Sequence, residues 1–233
     1  MKKLICILLL SIIAVGIILS LRAIPYGTPK TRIGNHFINN GVEETGAVNI
    51  VTSVVIGYRG FDTLGEITIL FTAAIGLGAL FNINNNRKKS KSKTLNETEP
   101  TSLIVYTGCR FLFPIILLVG IYIFIHGHLT PGGGFQGGAI IASAFLLMYL
   151  GCKGRRVNEN LNKIVEVIGG STFIIFGIIG LIIGKDFLFN FMPKGEPFTL
   201  LSAGIIPIIY IAIGLKVGSE LTGIIDHLIE KRQ

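Results

Sequence analysis

The stretch HGHLTPGGGFQGG, from His126 to Gly138, decides the fold. Its Gly132, Gly134 and Gly137 match G-x-G-x-x-G, the pattern of a phosphate loop in an α/β nucleotide-binding domain. That pattern needs a strand before it, a helix after it and an acid about 20 residues on. Here a predicted membrane span, residues 103–125, comes before the loop. The basic residues Lys153, Arg155 and Arg156 follow instead of an acid. A Walker A loop would continue with Lys and then Ser or Thr, and this chain continues Ala139-Ile140. No nucleotide is therefore expected. Glycine has a second use, since a residue without Cβ lets backbones approach closely, and small residues let membrane helices pack. Pro131, Gly132, Gly133, Gly134, Phe135, Gly137 and Gly138 are read as a structural loop, a tight turn between two membrane spans or part of a lining.

The runs on either side support an all-α integral membrane protein. Half of the 233 residues are hydrophobic and only 15% are charged, against about 25% in an ordinary soluble domain. A spanning helix takes about 20 mostly apolar residues. Six runs qualify: Leu4–Leu21, Thr63–Phe81, Leu103–Ile125, Ala139–Gly151, Ile164–Gly184 and Thr199–Val217. The fourth is short unless its helix begins inside the glycine stretch. The first follows Lys2 and Lys3 as a secretory signal would. It has no small-residue cleavage site and runs into Arg22, so a retained span is the favoured reading. Ala23–Thr45 reads as a loop. Ala47–Tyr58 is long enough for about half a bilayer, which suggests an interfacial or half-spanning helix. In the tail Glu220–Lys231, Leu221, Ile224, Ile225 and Leu228 fall at helical spacing, which predicts an amphipathic helix on the membrane face or on a partner.

The charge of +8 comes from 21 basic and 13 acidic residues. Much of the excess lies in one linker, where Arg87, Lys88, Lys89, Lys91 and Lys93 stand among Asn, Ser and Thr. No aromatics interleave them, as a single-strand nucleic-acid surface would require, so no nucleic-acid partner is expected. Positive loops beside spans stay in the cytoplasm. Alternating the six spans then puts the linker, Lys153–Arg156 and both termini on the cytoplasmic side. Cys6, Cys109 and Cys152 are far apart in sequence and read as reduced structural thiols, not as metal ligands.

Ionisable groups in apolar surroundings are costly and mark ion pathways. Arg59, Asp62 and Glu66 interrupt the segment RGFDTLGE, with the two acids at i and i+4. One reading makes Asp62 and Glu66 reversible proton or cation carriers, since burial raises a carboxylate's pKa. The other is structural, with Thr63 and Glu66 as a capping box and Asp62 paired with Arg59. Arg110 lies inside a span, where it snorkels or meets a carboxylate of another subunit. Glu166 is expected to pair with Lys163 near a helix end. Lys185 and Asp186 are expected in solvent, and His126 and His128 as exposed or loop-bonding imidazoles.

Arg110, Pro114 and the run Gly127–Gly138 resemble the B subunit of multisubunit Mrp (Mnh) sodium/proton antiporters, over roughly Thr101 to Val217. Residues Asn49 to Phe81 are similar to the C-terminal part of the Mrp A subunit. The same piece occurs as the E-type component of energy-converting membrane-bound hydrogenases, whose B-type piece is the F-type component. The resemblance implies three parts: an E-type membrane domain (1–85), a cytoplasmic linker (86–100) and a B-type four-helix membrane domain (101–233). It also implies partners, namely the other subunits of a Mrp or hydrogenase complex and the lipid bilayer. No cofactor is expected on this chain, and Na+ and H+ are the transported ions implied for the complex. Only one short span precedes the A-type motif, so the lysine and glutamate relay helices of the large antiporter subunits are missing. Ion exchange by this chain alone is not expected. Three functions follow: an antiporter subunit in the cell membrane, the same subunit inside a hydrogenase, or an assembly scaffold that carries no ions.

Overall fold

A computed structural model describes residues 2–23, 32–88, 102–152 and 157–230. Helix is the only regular structure among them. The chain forms two units, Met1–His36 and Phe37–Gln233. The first holds α1 (Lys2–Ala23), whose 22 residues extend about 33 Å at 1.5 Å per residue. Its Leu, Ile and Val side chains from Ile7 onward are exposed, as a lipid-facing surface would be. The linker lysines Lys89, Lys91 and Lys93 and the basic group Lys153, Arg155 and Arg156 lie outside the described residues.

Beyond the shorter apolar stretch Ile7–Arg22 of α1, five helices among the described residues are long and apolar enough to cross a membrane, spanning Gly60–Leu80, Leu103–Ile125, Gly134–Gly151, Glu159–Gly184 and Ile206–Ile229. They belong to α4 (Gly60–Lys88), α5 (Leu103–Ile125), α6 (Gly134–Gly151), α7 (Glu159–Gly184) and α8 (Ile206–Glu230). As expected, α6 begins inside the glycine stretch. The axis of the bundle is α8, with 61% of its apolar window buried against 11% in α4. It packs on α4, α5, α6 and α7, and its Ile206, Ile209, Tyr210, Ile213 and Val217 are central to the core.

Three expectations are corrected here. The polar stretch before Thr45 is not all loop, because Arg32–Thr45 forms α2, where Phe37 stacks on Tyr58 at 4.5 Å between ring centroids. The tail does not form a separate amphipathic helix. It continues α8 without a break, and Val217, Ser219, Glu220 and Thr222 are all buried. The last span does not begin at Thr199, since the chain stays in turns until Ile206.

The short apolar segment does not span. It consists of α3 (Ile50–Thr52) running directly into a π-helical stretch, Ser53–Tyr58. These nine residues cover about 13 Å at α-helical rise. The wide π turn closes through Arg59 N–H donating to the Val54 carbonyl at 2.8 Å. Arg59 then breaks the helix, and α4 starts at Gly60.

Candidate ion-handling site

The glycine loop is held by the E-type segment. Asn49 caps α3 by accepting from Val51 N–H at 3.0 Å. Its Nδ2 donates to the carbonyls of Gly127 and Thr130, both at 2.9 Å, and its backbone N–H to the carbonyl of His128 at 3.0 Å. Thr52 hydroxyl donates to the Gly127 carbonyl at 2.6 Å and receives the Tyr210 hydroxyl at 2.8 Å. The loop thus lends its carbonyls to a neighbouring segment, the reverse of a phosphate cradle, which presents N–H groups. The glycines of α6 have no room for a side chain. A Cβ on Gly134 would lie 2.9 Å from the Tyr210 carbonyl, one on Gly137 2.7 Å from that of Gly120, and one on Gly138 2.9 Å from that of Gly214. Backbone thus meets backbone where α6 touches α5 and α8.

The acids of RGFDTLGE lie at the same end of the bundle and are exposed. Asp62 is in the first turn of α4 and forms an ion pair with Arg59. The capping box is not formed. Thr63 lies within α4, and its hydroxyl donates to the Val55 carbonyl at 2.7 Å, because the helix already begins three residues earlier. Glu66 faces outward one turn further along. Arg59 and Asp62 line a cavity of about 770 Å³ together with Glu44, Asp186 and Lys194. Tyr58 borders it, and burial together with the Glu44 carboxylate pushes its phenol up to about 12. The phenol therefore remains a donor across the physiological range.

Arg110 is exposed on α5, over the Tyr106 ring at 5.6 Å from the centroid. Cys109 and Cys152, distant in sequence, line one small cavity beside it, and both are free and buried. Lys185 and Asp186 are exposed as expected. His126 stacks on Tyr122 at 4.2 Å. His128 is a correction, being fully buried with neither ring nitrogen hydrogen-bonded. Burial holds its pKa below the usual imidazole value, and the nearby backbone of Thr199, Leu200 and Ile125 offsets this only in part.

A second polar group was not anticipated. Lys216 lies on α8 ten residues after its start, about 15 Å along the helix. Its side chain is 8% exposed. Its Nζ stands 3.1 Å from Glu220 Oε2 and 3.6 Å from Glu166 Oε1. Glu166 therefore pairs across to α8, not with Lys163, which pairs with Glu159. The Phe71 ring of α4 caps the ammonium at 4.8 Å. On α7, Gly169 and Gly170 make the slot for its stem. A Cβ on Gly169 would lie 2.9 Å from the Lys216 backbone nitrogen, and one on Gly170 3.3 Å from its Cδ. The helix bundle thus holds a buried lysine between two glutamates.

The family profile described as a domain related to the MnhB subunit of Na+/H+ antiporter matches residues 104–223. The chain belongs to this MnhB-related family. A second profile, that of the E component of MBH, matches residues 5–97. An uncharacterised protein of Methanocaldococcus jannaschii is 32% identical over 194 residues, 75% of this chain and 74% of that protein. A chain in the structure of the membrane-bound sulfane sulfur reductase (MBS), an archaeal respiratory membrane complex, is 45% identical. The match covers 97% of both chains with a TM-score of 0.75. A chain of the Mrp complex from Dietzia sp. DQ12-45-1b shares the fold, with a TM-score of 0.69 and 22% identity over 97% of this chain and 26% of that one. This MnhB-related chain is a multi-pass membrane protein and a subunit of an antiporter-type complex.

Proposed function

We propose that the chain is a membrane subunit of a Mrp-type ion-translocating module that couples proton flow to Na+ movement. The reading rests chiefly on the end-to-end match, 97% of both chains, with a subunit of a respiratory membrane complex. In this reading redox chemistry on other subunits drives the ions, and no metal or cofactor is assigned to this chain. Asp62 and Glu66 are carriers or gates at a surface shared with a partner subunit, since both are exposed here. Arg59 pairs with Asp62, and Arg110 is offered to a partner's carboxylate. The linker and both termini are placed in the cytoplasm.

The test is transport by the assembled complex, purified through a tag on this chain and sealed into vesicles. Asp62→Asn and Glu66→Gln are expected to keep assembly and to lower Na+-dependent proton movement by about tenfold or more. Wild-type transport in both assembled variants would sink the carrier role and leave an assembly scaffold. The B-type motif also fits a stand-alone antiporter. Co-purification of redox subunits separates the two, and a nickel–iron large subunit among them would mark a hydrogenase.

A further inference from the structure

We propose that Glu166, Lys216 and Glu220 form a proton-binding site near the middle of the membrane, with Glu220 as the group that takes the proton. The reading of the chain as part of an ion-translocating module is assumed here; the site itself is argued from its geometry. With all three groups charged, the cluster holds one unit of net negative charge in a low-dielectric place. An unbalanced buried charge is strongly disfavoured. One proton cancels it. A metal cation is disfavoured, because the Lys216 ammonium already stands between the two carboxylates. Glu220 is the acceptor because its side chain is 2% exposed against 24% for Glu166. Neither Glu220 oxygen has a hydrogen-bond donor in good geometry, so Lys216 alone favours its charge.

The site also has access. A cavity of about 320 Å³ is lined by Glu166 and Glu220 at its inner end and by Glu159, Lys163, Asp226 and His227 toward the helix ends. A second cavity of about 280 Å³ touches Glu166 and Lys216 and is lined by Thr68 and Ser171. Phe71 borders both cavities. From Phe71, α4 leads back to Glu66 and Asp62, about 8 and 14 Å along the helix. The charged groups facing the cluster come from α7 (Glu159, Lys163) and α8 (Asp226, His227), and the α4 residues lining both cavities carry no charge. In the step itself, a proton from water in the larger cavity binds a Glu220 oxygen and the cluster becomes neutral. Lys216 is then left to Glu166. Release reverses both, and nothing is oxidised or reduced.

The experiment uses the assembled complex in two measurements. Infrared difference spectra across a pH titration, with no sodium gradient, are expected to show a protonated-carboxyl band in the wild type that Glu220→Gln removes. Proton uptake into vesicles is expected to fall about tenfold or more in Glu220→Gln and in the triple variant Glu166→Gln, Lys216→Met, Glu220→Gln. Glu220→Gln leaves Glu166 and Lys216 as a neutral pair, and the triple variant leaves no charge in the cluster at all. A band that persists in Glu220→Gln would overturn the proposal. So would an assembled triple variant that moves protons at the wild-type rate. Failure of both variants to assemble would also overturn it, because the cluster would then be a structural staple. The infrared arm needs no transport, so its failure is distinct from failure of the Na+-coupling reading.

Discussion

At the scale of single residues, Asn49 uses its side chain in two directions at once. Its oxygen caps α3, and its amide nitrogen serves two carbonyls of the glycine loop. Asn49→Asp keeps the cap and turns both donors into acceptors facing carbonyls. The expected loss is about 2–3 kcal/mol, the cost of leaving such groups unpaired, read as a lower Tm in detergent, with Asn49→Ala intermediate. A wild-type Tm in Asn49→Asp would mean that the loop does not depend on this bracket. His128 gives a pH dependence. Its folded pKa is depressed by burial, so the unfolded chain binds the proton first. Stability is then full above the ordinary imidazole value of about 6.5 and falls as pH drops below it. His128→Asn should flatten that limb of a Tm-against-pH curve. Residue types and spacing alone could not place either group. A histidine beside glycines reads as exposed until the fold shows the 198–202 turn closing over it.

At the scale of elements, spans were legible because lipid imposes one simple demand, a long apolar helix. The α5 run was read to the residue, and the start of α6 inside the glycines followed from its length. What escaped lay at boundaries. Lys216 and Glu220 are i and i+4 on one helix, but the apolar window ended at Val217. The pair was split between a span and a supposed surface tail, and one lysine hardly lowers the mean of a twenty-residue window. Thr63 and Glu66 spelled a capping box, yet the π turn at Ser53–Tyr58 delivers the chain so that α4 starts at Gly60 and Val55 takes the Thr63 hydroxyl. The α6–α8 contact gives a test at this scale. Gly138→Ala puts a methyl 2.9 Å from backbone atoms of Gly214 and Gly218, where no flexible side chain can yield. A loss of about 1–3 kcal/mol is expected from overpacking, measured as reduced Tm and assembly. Gly133→Ala should be milder, since its nearest neighbour is the movable end of Gln136. An unchanged Gly138→Ala would refute this packing.

For the whole molecule, the two pieces inferred from motifs are joined by more than the linker. The Asn49 and Thr52 bonds to the glycine loop tie the E-type piece to the B-type piece. The described helices alternate between two ends of the bundle, with the glycine loop at one and the end of α4 and start of α5 at the other. The proposed orientation, which follows the positive-inside bias, puts the α4–α5 linker in the cytoplasm. A cysteine introduced at Ser92, in a Cys6→Ser, Cys109→Ser, Cys152→Ser background, should be labelled by an impermeant maleimide only in inside-out vesicles. Labelling in intact cells would invert the topology.

Lys216 also bears on how the chain is made. A lone lysine and glutamate at the centre of a helix each add about 3 kcal/mol to the cost of entering lipid. Newly made α8 therefore enters the bilayer poorly by itself. Glu166 and the slot at Gly169 and Gly170 are on α7, which emerges first and can wait beside the insertion machinery. The two helices should be released into lipid together, as a hairpin, with the ion pair already closed.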